Sequence, residues 1–197
     1  MMWLFLLLWA MPVAAQVVID RVLVDPSGNE NSNNIPEVVV LKNSGAEAID
    51  LSGWVLRSTP PLDKPDQWTV PEETTLASNG ELAIYWYTRT DVAVGTIAGV
   101  PTLITPIATG KNSVSLLNND GGDLGLYNIA DVMVHYVQWS DSALGLEKAA
   151  VEAGVWSAGT TIDRPDEDHW LIYDGEGFEA SDWSIGPIVE SPTPTAV

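Results

Sequence analysis

The chain contains no cysteine, only two histidines, and eight lysines and arginines against 27 aspartates and glutamates among its 197 residues. Without cysteine it can build no disulfide framework, no thiolate metal site and no cysteine-linked lipid anchor. The shortage of bases leaves a formal net charge of −19. Such a surface repels phosphate backbones, whose binding depends on Lys and Arg displacing counterions, so neither nucleic acid nor an anionic membrane is an expected partner. Long apolar runs are also missing. The main one, Trp3 to Ala15, is interrupted by Pro12 and falls short of the roughly 20 residues that cross a bilayer.

That run has another reading. It ends in Val13-Ala14-Ala15, small residues of the kind a signal peptidase reads, so residues 1–15 are expected to be a secretory signal peptide cleaved before Gln16. All charged residues follow Ala15. With 46% hydrophobic residues, the remaining chain can fold around a core without disulfides.

The stretch that organises the rest is Asp50-Leu51-Ser52-Gly53-Trp54, a turn, a glycine and a large aromatic at the start of a strand. Trp54 is expected to enter a sandwich core, where truncation to Ala costs roughly 3–5 kcal/mol. Around it lie short β-rich runs. Val17 to Val24 is broken only by Asp20 and Arg21, which suggests a strand near a sheet edge. Glu37 to Leu41 is nearly unbroken in apolar character and reads as central. Trp54 to Ser58 and Gln67 to Val70 follow, and Asn79-Gly80 carries a hairpin signal. In Leu82 to Tyr87, Leu82, Ile84 and Trp86 are expected to face the core, with Ala83, Tyr85 and Tyr87 facing out. Gly95 to Gly110 reads as an insertion. Ser113 to Leu117, Leu124 to Tyr127 and Val132 to Trp139 close the set, and Asn43 to Glu47 makes a hairpin or Greek-key connection. Strands at this spacing, separated by Gly/Asn/Asp turns, predict an all-β, antiparallel sandwich.

Beyond residue 140 the pattern changes. Ala143 to Ala153 is predicted to be helical and to stop at Gly154. Val155 to Trp183 is acidic and carries Trp156, Trp170, Tyr173 and Trp183, aromatics expected to fold back onto the sandwich. The expected organisation is therefore a leader over 1–15, a sandwich over 16–140, a largely irregular extension over 141–187 packed on it, and a Thr/Pro-rich linker or disordered tail over 188–197.

These motifs, in this order, resemble the lamin-tail domain, an immunoglobulin-like module found in nuclear intermediate filaments and in exported bacterial proteins. The matching stretches are Ile19 to Gly28, Glu37 to Asn43, Asp50 to Leu56, Trp68 to Pro71, Thr75 to Gly80, Asn118 to Tyr127 and Val132 to Trp139. The sequence departs from the pattern at Val38, Val40 and His135, and Asn128-Ile129-Ala130-Asp131 lacks the usual turn glycine. The resemblance implies an immunoglobulin-like fold and a non-catalytic interaction or structural module, outside the cell or in its envelope. Its implied alternative is an accessory module of a calcium-dependent extracellular hydrolase.

Direct evidence for chemistry is thin. No nucleophile elbow, P-loop or two-histidine zinc spacing occurs, and no catalytic, metal or cofactor residues are assigned. His135 lies in a predicted strand and His169 in the acidic run Asp166 to Trp170, where structural or solvated roles are expected. Calcium is the cofactor to weigh. Asp25 with Asn29, Glu30 and Asn31, and separately Asn119, Asp120 and Asp123, offer hard oxygen ligands, although turns favour the same residue types. Tyr85 and Tyr87 form a candidate surface contact for an unidentified protein or glycan partner. A monomer is expected.

Overall fold

The computed structural model describes residues 16–28, 37–59, 66–88, 96–97, 100–106, 117–140, 145–175 and 177–188. The expectations for the leader, for Asn29 to Asn31, for Ser113 to Leu116 and for the Thr/Pro-rich tail lie outside them. Among the described residues thirteen strands form in chain order: β1 (Val17–Leu23), β2 (Glu37–Asn43), β3 (Ile49–Asp50), β4 (Val55–Ser58), β5 (Asp66–Thr69), β6 (Thr75–Leu76), β7 (Glu81–Thr88), β8 (Thr96–Ile97), β9 (Val100–Pro106), β10 (Gly122–Tyr127), β11 (Met133–Trp139), β12 (His169–Tyr173) and β13 (Trp183–Pro187). One short helix, α1 (Glu147–Glu152), precedes the last two strands.

A seven-stranded sheet, in the order β13-β12-β1-β2-β7-β9-β8, packs on a four-stranded sheet, β11-β10-β4-β5, while β3 and β6 pair separately. Between the layers lie Ile19, Val39, Leu41, Leu82, Ile84 and Trp86 from the first sheet and Leu56, Leu124, Leu126, Val137 and Trp139 from the second. The inward set predicted for β7 thus occupies the core. Strand β2, flanked by β1 and β7, is central as its apolar run implied. Its two faces are both buried, Val39 and Leu41 toward the sandwich core and Val38 and Val40 in a second cluster with Leu23, Ala83 and Tyr85. That double burial is why the strand reads as continuous rather than alternating.

Several expectations are corrected. Strand β1 is interior, with β2 on one side and β12 on the other. Asp20 marks a bulge, because Ile19 pairs with Leu41 and Arg21 with Val40. The extra residue switches the inward positions from Val17 and Ile19 to Val22 and Val24, as a bulge must when side chains alternate. The buried Asp20 carboxylate is held by Arg21 and Lys42. Asn79-Gly80 is not a hairpin turn, since β6 and β7 belong to different sheets. Asn43 likewise sits at a crossover between sheets. Its buried amide donates to the carbonyls of Glu47, Leu76 and Ala77 and accepts from the Gly45 N–H. Within Gly95 to Gly110, expected as an insertion, β9 runs parallel to β7 and widens the large sheet.

The C-terminal segment is part of that sheet. Strand β12 pairs antiparallel with β1, Leu23 opposite Trp170, and β13 pairs with β12. Helix α1 is shorter than predicted, but its end is as expected. Gly154, at φ +73°, donates to the Val151 carbonyl and Val155 to that of Ala150, the paired bonds of a Schellman ending.

Trp54 departs most from expectation. It is half-buried at the rim of the core, whereas Leu51 is fully buried. Its turn is held by Trp54 N–H to the Leu51 carbonyl (2.9 Å), Leu51 N–H to Thr74 (2.8 Å) and Gly53 N–H to Val70 (3.1 Å). Gly53 takes the left-handed φ of +76° that the turn requires. The motif ties the loop between β5 and β6 to the start of β4, and the leucine rather than the indole fills the core.

Candidate functional site

The described residues among those singled out in the sequence fall into three settings. The first is the buried interior. His135 on β11 is 1% exposed, and its Nδ1 accepts the Ile19 N–H at 3.3 Å, beside the β1 bulge. Around the imidazole stand Tyr173 at 4.6 Å, Trp183 at 5.8 Å and Phe178 at 6.0 Å between ring centroids. Burial lowers its pKa to about 3, so the ring is neutral across the ordinary pH range. His135 therefore ties the second sheet to β1 and to the C-terminal hairpin, with its ring closed off from solvent.

Asp123 belongs to the same setting. It is 1% exposed and accepts from the Thr59 N–H (2.7 Å), the Thr59 hydroxyl (3.1 Å), the Leu146 N–H (3.1 Å) and the Tyr136 hydroxyl (3.2 Å). Desolvation outweighs these donors and raises its pKa. Burial, reinforced by the Asp123 charge, also raises that of Tyr136. Asp123, a candidate calcium ligand in the sequence beside Asn119 and Asp120, instead turns inward and fastens three segments.

The second setting is a polar end where two loops weighed separately for calcium meet. Asn119 donates its amide to the Asp25 carboxylate at 2.8 Å. Arg164 lies between them, 2.7 Å from Asp120 and 4.0 Å from Asp25. Asp168 and Glu167 arrive from the C-terminal segment and accept the N–H groups of Ser27 and Gly28. Partial burial, followed by the nearby Glu167 charge, raises the Asp25 pKa. A guanidinium thus supplies the positive charge between Asp25 and Asp120. Among the described residues no group of three or more His, Asp or Glu side chains is arranged to hold a metal ion. His169 is half-buried next to this end, its Nδ1 2.9 Å from the Glu167 carbonyl oxygen.

The third setting is the face of the large sheet away from the sandwich core. Tyr85 does point there, but it is 3% exposed, packed with Leu23, Val38, Val40 and Ala83. Desolvation raises its phenol pKa to about 12. As an exposed aromatic platform Tyr85 is therefore corrected, because apolar neighbours bury both faces of β2 and β7. The Tyr87 side chain lies outside the described residues.

Comparison with known families decides the lineage. The family model for the lamin tail domain matches residues 10–141. The chain belongs to the lamin tail family. Lamin tail domains are immunoglobulin-like and generally non-catalytic, in keeping with the two packed sheets and with the structural use of His135 and Asp123. No curated protein matches the sequence. Here β12, β13 and the aromatics around His135 lie beyond the matched residues, yet β12 completes the pairing of the lamin tail strand β1. The sequence carries one signal of that packing, the aromatics Tyr173, Phe178 and Trp183 at intervals of five residues.

Among the described residues no helix is long and apolar enough to cross a membrane.

Proposed function

We propose that this lamin tail protein is an exported bacterial interaction module without catalysis of its own, acting outside the cell or in its envelope. The supporting observation is the use made of its buried polar groups. Asp123 receives four hydrogen bonds, and the His135 ring nitrogen is bonded to β1 inside an aromatic enclosure. Catalysis by general acid or base needs such a group within reach of a substrate. Export is supported by the apolar Trp3 to Ala15 run with its Ala14-Ala15 end.

Expression with the leader in a bacterial host tests both parts. The expected product begins at Gln16 and is recovered outside the cytoplasm, and it is inert toward a broad hydrolase panel. Turnover abolished by His135→Gln or His169→Gln would overturn the non-catalytic reading, and retention of residues 1–15 in the cytoplasm would overturn export. The rival role, accessory module of a calcium-dependent hydrolase, requires calcium to raise the melting temperature and EDTA to reverse the gain. Arg164 between Asp25 and Asp120 weighs against it.

A further inference from the structure

Three large hydrophobic side chains are exposed among the described residues, and two of them, Ile129 (76%) and Val132 (52%), share one turn. Turns favour Gly, Asn, Asp and Ser, so an isoleucine at the tip needs an account. This tip is rigid. The Asn128 side chain accepts the N–H groups of Ala130 (3.0 Å) and Val132 (3.1 Å), and its backbone bonds Val132 and Asp131. Asp131, at φ +60°, fills a left-handed position of the kind that favours glycine. Arg57 clamps its carboxylate at 2.6 Å while lying 4.0 Å over the Tyr127 ring.

The tip does not stand alone. A methyl placed on Gly53 would touch the Ile129 side chain at 3.5 Å, so the Asp50–Trp54 turn is its neighbour. The Thr74 carbonyl, bonded to Leu51, brings the exposed Glu72 and Glu73 to the same end. The result is a small apolar knob on a preorganised turn, rimmed by carboxylates, with its arginine already engaged. An apolar centre with a charged rim is the anatomy of a protein interface, and rigidity lowers the ordering cost of using it.

We propose that this end of the sandwich is the docking surface of the module, and that its partner is a basic segment of another protein offering an aliphatic or aromatic contact to Ile129 and Val132. Charge selects that occupant. A second copy of a chain at −19 would set acid against acid, and an anionic lipid or nucleic acid would be repelled. A neutral sugar would leave the negative charge of this end unanswered.

The proposal rests on the interaction-module reading and is tested apart from it. The probe is a short lysine peptide with one central leucine, compared with its glycine counterpart, and the readout is amide chemical shifts of the folded protein at low salt. Expected are shifts centred on residues 52–54 and 129–132, and binding of the leucine peptide about fivefold tighter, the order that burying one aliphatic tip supplies. The double variant I129S/V132S should melt with the parent and lose that preference, while E72Q/E73Q should weaken both peptides. Equal affinity for the two peptides, or a preference that survives I129S/V132S, would overturn the surface. Leucine-dependent shifts elsewhere would overturn it too, while leaving an interaction module; only turnover on the hydrolase panel overturns that broader reading.

Discussion

Two residues carry the sharpest consequences for stability. Leu51 fills the core and Trp54 closes its rim, so Leu51→Ala is expected to cost about 2–5 kcal/mol and Trp54→Ala only about 1–2 kcal/mol, measured by urea unfolding. The glycine and the turn were legible in the sequence. Which of two large apolar neighbours would be buried was not, because that depends on the loop from Val70 to Thr74 that meets the turn. His135 gives a pH signature. Its pKa rises from about 3 in the folded protein to about 6.5 when unfolded. Between those values the unfolded chain binds more protons, so stability falls as pH drops from about 6.5 toward 3, by up to about 1.4 kcal/mol per unit. His135→Gln, which keeps an acceptor for the Ile19 N–H, should flatten the slope across that window relative to the parent. An unchanged slope would mean that protonation of His135 is not what acid acts on.

Among the elements, the ones that look most ordinary in sequence do the least expected work. Gly154 ends α1 with nothing within 4 Å of an added methyl, so Gly154→Ala is opposed by the backbone alone. It should cost about 1 kcal/mol, and Gly154→Asn less, by thermal melts. The hairpin of β12 and β13 matters more. Removing residues 163–197 strips the outer partner from β1 and uncovers His135, and the remainder is expected to lose cooperative unfolding and aggregate on size-exclusion chromatography. A well-folded monomer from that deletion would show the extension to be dispensable. Local pattern made β2, β7 and β11 readable, because each keeps a clean period or a solid apolar run. It misled at β1, where Asp20 and Arg21 looked like edge charges but form a bulge. It was silent on β12, whose partner β1 lies far along the chain, and on β9, whose Val100–Pro106 run with its two prolines shows no alternation.

For the molecule as a whole, electrostatics set the balance. Each arginine and lysine among the described residues, Arg21, Lys42, Arg57, Lys148 and Arg164, is already in an ion pair. The acids outnumber the bases 27 to 8 over the whole sequence, so most negative charge has no local answer. Salt weakens the few exposed pairs slightly and the general repulsion more. Melting temperature at pH 7 should therefore rise by several degrees between about 10 mM and 500 mM sodium chloride, and a fall would mean the ion pairs dominate. The charge was legible from composition, whereas the commitment of these cations emerged only in three dimensions. The pairing of Leu23 with Trp170 has a further effect, on timing. A nascent chain leaving the ribosome amino end first has no neighbour for the outer edge of its first strand until Tyr173 has emerged. Closure of that edge is thus deferred until β12 has been synthesised, long after its other partner β2.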